Sequence, residues 1–293
     1  MTTATAPTVC AIVVTYNRRD MLRRCLAALA AQERPADMTV VVDNASSDGT
    51  TDLVRDEFPD VELLALERNV GGAGGFEQGL AWAHARGFEW LWLMDDDTLT
   101  QPGTLGALLD GARRAPGKEP LIVCSDVRWK DERLHPMNVP APRWRDRAQM
   151  AEAAGRGLLA VRTATFVSLA VHREAIDRYG LPLAHYFIWG DDIEFTARVL
   201  RHERGYLVPE SRVYHWTPEP HAPAGLNSDR FYYHARNSLH LLRGSSFSAV
   251  ERVDYGRYYL RSIWQFLRVN RRDRRRLGIL LQGLKDGLRG PAR

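Results

Sequence analysis

Along the first 125 residues, short β-branched apolar runs alternate with stretches in which apolar positions recur every three or four residues. VCAIVVTY (Val9–Tyr16) is apolar almost throughout, as a strand buried on both faces requires, and DMLRRCLAALAAQ (Asp20–Gln32) sets Leu22, Leu26 and Leu29 on one helical face. TVVVDN (Thr39–Asn44) predicts a second strand, followed by the turn ASSDGT and a helix from about Thr51. VELLALE (Val61–Glu67) predicts a third, a glycine-rich loop then opens a helix at about Phe76–Arg86, and Glu89–Met94 is the fourth. With Leu121–Asp126 as a fifth strand, the alternation is that of βαβ units on a largely parallel sheet.

The pattern then loosens. Trp129–Gln149 is polar and proline-containing and reads as a long functional or mobile loop to which no role can be attached. HREAIDRYGLP predicts a short helix ended by Gly180 and Pro182, Asp191–Gly205 a helix closed by its glycine, and Asp229–Arg243 another, with two more helices in the remainder.

In open α/β sheets ligands bind beyond the carboxyl ends of the strands. Thr15–Asn17, Asp43–Asn44, Arg68–Gly75 and Asp95–Asp97 all fall at such ends and so converge on one crevice. Composition adds that the 293-residue chain is globular, with 45% hydrophobic residues and no run that could span a membrane. Its start lacks the basic region of a secretory signal, which gives a cytoplasmic expectation. Cys10, Cys25 and Cys124 have no disulfide or zinc spacing and read as small buried hydrophobes.

The triplet Asp95, Asp96 and Asp97 ends the apolar run WLWLM, where like charges repel and resist burial unless something positive joins them. Carboxylates at a strand end suit Mg²⁺ or Mn²⁺ together with phosphate oxygens; in isolation they could equally cap the next helix. RNVGGAGGFEQG (Arg68–Gly79) has four glycines in five positions, which permits close backbone approach and leaves amides for phosphate or sugar oxygens at a helix start, but it matches neither the P-loop nor the GxGxxG spacing.

Together VVTYNR (Val13–Arg18), VVDNASSDGTTD (Val41–Asp52), the glycine segment, MDDD and WGDDIEF resemble the family-2 inverting glycosyltransferases of the GT-A fold, over roughly residues 9–243. NVGGAGGF resembles in particular the bacterial galactofuranosyltransferases of the short, chain-initiating kind. The implied fold is an α/β, Rossmann-like, mixed but mostly parallel sheet flanked by helices. Its catalytic domain would span 1–243, with a nucleotide-binding half at about 9–126 and an acceptor half at about 127–243, and a basic amphipathic tail would cover 244–293.

The resemblance also implies roles. Thr15, Tyr16 and Asn17 would border the nucleotide, Asp43 would accept from the uracil or its ribose, and Arg68, Asn69, Gly71, Gly72, Gly74 and Gly75 would line the nucleotide side. Asp95 and Asp97 would hold the divalent metal, with Asp96 toward ribose or sugar. An inverting transfer needs a carboxylate to take the acceptor proton, and the match puts it on Asp192, with Asp191 the fallback; acids there are also ordinary helix caps. His215 would complete the metal site, with His221 and His234 as competitors. Trp189 and Trp216 are candidate stacking walls for a sugar, buried core tryptophan being a comparable reading. Arg236, in RFYYHARN, would lie within reach of the pyrophosphate if it does not simply belong to a helix packing Phe231 and Ala235 inward.

From Glu251 to Arg293 there are 12 Lys or Arg against 4 Asp or Glu, a net +8 in a chain whose total is +4, so residues 1–250 carry −4. A basic helix with Tyr258, Tyr259, Ile263, Trp264, Phe266 and Leu267 can lie on an anionic membrane surface, or cap the catalytic domain or a dimer; no nucleic-acid motif accompanies the arginines. The expected partners are a nucleotide sugar, UDP-galactofuranose first and dTDP-rhamnose second, and a lipid-linked oligosaccharide acceptor on the cytoplasmic membrane face. A non-catalytic nucleotide-sugar-binding protein is the competing class.

Overall fold

A computed structural model describes residues 6–219, 226 and 228–290. The strands are β1 Val9–Thr15, β2 Met38–Asp43, β3 Glu62–Ala65, β4 Trp90–Asp95, β5 Thr98–Thr100, β6 Ile122–Arg128, β7 Ala141–Pro142, β8 Leu159–Thr163, β9 Leu169–His172 and β10 Gly205–His215. The helices are α1 Arg19–Ala30, α2 Thr50–Glu57, α3 Gly71–Ala85, α4 Thr104–Arg114, α5 Arg147–Ala154, α6 Arg173–Tyr179, α7 Asp191–Val199, α8 Phe231–Arg243, α9 Ala249–Asn270 and α10 Arg274–Arg289.

One sheet runs β3-β2-β1-β4-β9-β6-β10-β8-β7, with β5 paired to β10. The first four strands are mutually parallel, in the register Val13↔Val41 and Val13↔Met94. Both faces of β1 and β4 are buried, which is why their sequences are apolar without alternation. One core packs α1 and α4 against Val9, Trp92 and Tyr206; the other packs α3 and α7 against Ile12, Leu93 and Phe166. The three cysteines are free and buried.

Three expectations are corrected. The glycine segment is not a loop before a helix, because α3 begins at Gly71 and the glycines form its first turns. A side chain at Gly75 would meet Val14 at 2.6 Å and one at Gly79 would meet Ile12 at 2.5 Å, so these glycines let α3 lie directly on β1. The helix that starts at Asp191 ends at Val199, and Gly205 opens β10 rather than capping it. The Trp129–Gln149 stretch contains β7 and the start of α5, and its side chains His135, Asn138 and Gln149 are buried.

The basic C-terminal segment is two helices that fold back on α8. Phe231 stacks on Phe266 with ring centroids 3.9 Å apart, and Leu280 closes the same cluster. No helix among the described residues is long and apolar enough to cross a membrane.

Candidate active site

The carboxyl ends of β1, β2 and β4 lie level, with Thr15 beside Asp43 and Val14 beside Asp95. Asp96 and Asp97 then form the turn between β4 and β5, and the antiparallel pairing of β5 with β10 sets His215 opposite Thr98. That register carries the histidine to the aspartates across more than a hundred residues. Its Nε2 lies 3.0 Å from Asp97 Oδ1 and 3.8 Å from Asp95 Oδ2, and one ligand atom from each of the three falls within 4.8 Å of the others. An oxygen, oxygen and imidazole set of this spacing fits a hard or borderline divalent cation. A second acidic grouping, Glu89, Glu119 and His172, lies at the opposite strand ends, away from this crevice.

The three aspartates divide by environment. Asp96 turns inward, accepting from the Thr15 hydroxyl at 2.7 Å, and burial followed by the Asp97 charge pushes its carboxyl up to about 7. Burial would also raise Asp97, but its hydrogen bond to His215, the charge of that histidine and then Arg18 outweigh it and hold the carboxyl down to about 2. Asp95, with its side chain 41% exposed, is pushed up to about 6 by lost hydration and by Asp97. Burial opposes protonation of His215, but Asp97 and Asp95 raise it above the ordinary imidazole value.

Arg18 donates to Asp97 and stands 3.5 Å from Asp96. It is the positive charge that the triplet demands, supplied from the end of VVTYNR. His215 is held from behind by the polar loop: its Nδ1 is 2.8 Å from Asn138 Oδ1, and the His135 ring lies 4.9 Å away. Because the amide oxygen only accepts, Nδ1 carries the proton and Nε2 is left free to bind a metal in the neutral tautomer. Neither residue is legible as a site residue, since a polar side chain in a proline-containing stretch carries no periodicity.

Asp191 and Asp192 begin α7 after Gly190, whose φ of 87° lets the chain turn sharply into the helix. Asp191 is buried, and burial followed by the charge of Asp192 raises it well above the carboxylate range. Asp192 is the more open of the two; burial pushes it up to about 6, although the Ile193 amide donates to it at 2.7 Å. Asp95 lies within electrostatic reach of both and adds to the upward shift of each.

The segment before α7 is tightly specified. Phe187 and Trp189 both adopt positive φ, 62° and 67°, which costs on the order of 1–3 kcal/mol each and must be enforced by neighbours. The enforcement comes from Asn237 on α8, whose amide donates to the carbonyls of Tyr186, Ile188 and Trp189 at 2.9, 2.9 and 2.7 Å. Arg236 donates to the carbonyls of His185 and Tyr186, so it braces this loop rather than reaching toward a pyrophosphate. Gly71, with φ 78°, lets the start of α3 meet the same segment, where a side chain would overlap the Phe187 carbonyl.

The remaining candidates are placed as follows. Tyr16 is 46% exposed at the crevice rim, and Arg68 is exposed beside the half-buried Asn69, whose Oδ1 accepts from the Gly71 amide. Asn17 locks to the second loop through Ser46 and Ser47. Both oxygens of Asp43 are engaged, by the Ser46 amide at 3.1 Å and the Thr51 hydroxyl at 2.8 Å. Gly72 has open space where a side chain would sit, whereas Gly74 packs on Val70. One face of Trp216 is covered by Arg24, 4.0 Å from the ring centroid. Trp189 is half-buried. His234 bonds Ser262 within the helical cluster, away from the aspartates, and His221 lies outside the described residues.

The family model described as glycosyl transferase family 2 matches residues 10–179, which includes all of the parallel half and the aspartate turn. The chain belongs to glycosyl transferase family 2. Among curated family relatives, galactofuranosyltransferase GlfT1 of Mycolicibacterium smegmatis is 32% identical over 198 residues, covering 66% of this chain and 65% of that protein. An N-acetylglucosaminyl-diphospho-decaprenol L-rhamnosyltransferase of Mycobacterium tuberculosis is 32% identical over 118 residues, covering 36% of this chain and 37% of its own. The matched segment thus spans just under two thirds of the first of these relatives. Solved structures share the GT-A fold: a 1–349 form of S. aureus TarS (TM-score 0.64, 16% identity, 96% of this chain and 80% of that one), and a Pyrobaculum calidifontis mannosyltransferase in complex with GDP-Man and Mn²⁺ (TM-score 0.61, 19% identity, 97% and 81%).

Proposed function

We propose that this family-2 chain is a metal-dependent inverting galactofuranosyltransferase that moves galactofuranose from UDP-galactofuranose to a hydroxyl of a lipid-linked saccharide in cell-envelope polysaccharide synthesis. The observation that carries it is the convergence of Asp95, Asp97 and His215, with the half-buried Asp192 at the start of α7 within electrostatic reach of Asp95. The similarity to GlfT1 supports the choice of donor.

Asp95, Asp97 and His215 would hold a divalent cation, which would supply positive charge for the donor pyrophosphate. Asp192 takes the proton of the acceptor hydroxyl while that oxygen bonds to the anomeric carbon from the face opposite UDP; the bond from that carbon to the β-phosphate oxygen breaks, and its electron pair leaves with UDP. Arg18 stands at the same carboxylates and can follow the developing phosphate charge. The expected signature is that Asp192→Asn loses transfer by about 10²–10⁴-fold while UDP binding is retained. Transfer equal to wild type in that variant would remove Asp192 from the chemistry.

A rhamnosyl donor is the second reading, favoured by the shorter match to the rhamnosyltransferase. For a binding protein without catalysis, neither donor would turn over.

Attachment to a membrane belongs to the same proposal. Val253, Leu260, Trp264 and Leu267 are 54, 68, 58 and 40% exposed and recur at helical spacing on α9. Exposed arginines 268, 271 and 272 follow them, suited to anionic headgroups.

A further inference from the structure

Along α7, from Ile193 in its first turn to Arg201 past its end, a cavity of about 600 Å³ is bounded by Trp144, Arg145, Thr163, Asp254 and Tyr255 as well. Ile193 directly follows the proposed base, and Tyr255 lies within electrostatic reach of it. Below them the buried Arg162 is fixed by the carbonyls of Ala197 and Ser246 and by Glu251, which ties β8 to the start of α9 and gives the cavity a rigid floor. At the rim Trp144 is 70% exposed, and Arg145 donates to Asp254 at 2.7 Å, with more than half of each charged side chain open to solvent.

That combination suits one chemical class. A sugar ring has an apolar C–H face that packs on an indole and a belt of hydroxyls that need donors and acceptors together, which an open Arg–Asp pair provides. The volume falls in the range of small-molecule sites, large enough for the end of an oligosaccharide. We propose that this cavity binds the acceptor saccharide, with Trp144 as the stacking platform and the Arg145–Asp254 pair as hydroxyl ligands. The assignment rests on the transferase reading, since the cavity flanks the helix that begins with Asp191 and Asp192. It also explains the exposed Val250 and Val253, which neighbour the cavity-lining Glu251 and Asp254 on α9 and lead into the apolar row of Leu260 and Trp264. An acceptor seated in the cavity can direct its lipid along that row.

The test is a titration of the full chain, in the presence of UDP, with an octyl disaccharide ending in galactofuranose, followed by ligand-observed NMR. Wild type is expected to bind, Trp144→Ala to bind at least about tenfold more weakly, and Trp144→Phe to stay within about threefold of wild type, corresponding to roughly 1.4 and 0.6 kcal/mol. UDP affinity should be the same in all three, which excludes misfolding. Equal disaccharide binding by Trp144→Ala, or none by wild type, overturns the assignment. UDP release from UDP-galactofuranose is measured separately; its absence alongside binding that depends on Trp144 would defeat the transferase reading and leave the saccharide site standing.

Discussion

At the residue scale the chemistry depends on how carboxylates that should repel are kept distinct. Asp97 is ionised by its contacts with His215 and Arg18, whereas burial brings Asp192 to about 6. A base must be ionised to accept a proton, so the ionised fraction of Asp192, and with it kcat/KM, falls as pH drops through about 6. A rate that stays flat down to about pH 5 would contradict this. Arg18 would compete with a cation for Asp97. Arg18→Met should therefore bind Mn²⁺ several-fold more tightly, as read by electron paramagnetic resonance of the free ion, yet melt at a lower temperature without metal because Asp96 and Asp97 lose their counter-charge. Weaker Mn²⁺ binding in this variant would show that Arg18 helps to build the metal site rather than shielding it.

At the scale of elements, two supports hold the site from outside it. Asn138 fixes the His215 tautomer from the polar loop, so Asn138→Leu should weaken Mn²⁺ binding by about 10–100-fold with the fold intact; unchanged affinity would reduce the 2.8 Å contact to packing. Asn237 holds three carbonyls of the segment before α7, and Asn237→Ala should cost on the order of 2–3 kcal/mol in thermal unfolding and slow transfer more than it weakens UDP binding. Neither support is visible in sequence, for the same reason: Asn138 and His215 are 77 positions apart, and no local pattern announces a polar contact of that separation. By contrast β1, β2 and β4 are legible because strands buried on both faces must be apolar, and their polar ends mark the crevice directly. β9 is four residues long and antiparallel between β4 and β6, too short to show a period of its own. The glycine segment is legible as a place of close approach, but not as the helix it forms, because glycine is a poor helix former and those turns lean on contact with β1 and the Phe187 segment.

At the scale of the whole molecule, a half built on parallel strands meets a second half that supplies His215 and the acidic pair, and α8 to α10 brace that second half through Asn237 and Phe231. Removing α9 and α10 would strip a stacked aromatic core, so membrane attachment is better tested by surface changes. Leu260→Glu combined with Trp264→Glu should abolish flotation with vesicles containing anionic lipid while leaving UDP binding unchanged; equal flotation would count against the α9 row. The central claim is the transfer itself, and the most direct measurement of it is nucleotide release in a donor screen with Mn²⁺ and a lipid-linked disaccharide present. The predicted result is UDP released from UDP-galactofuranose by wild type and not by Asp192→Asn, whereas turnover with dTDP-rhamnose alone would contradict it.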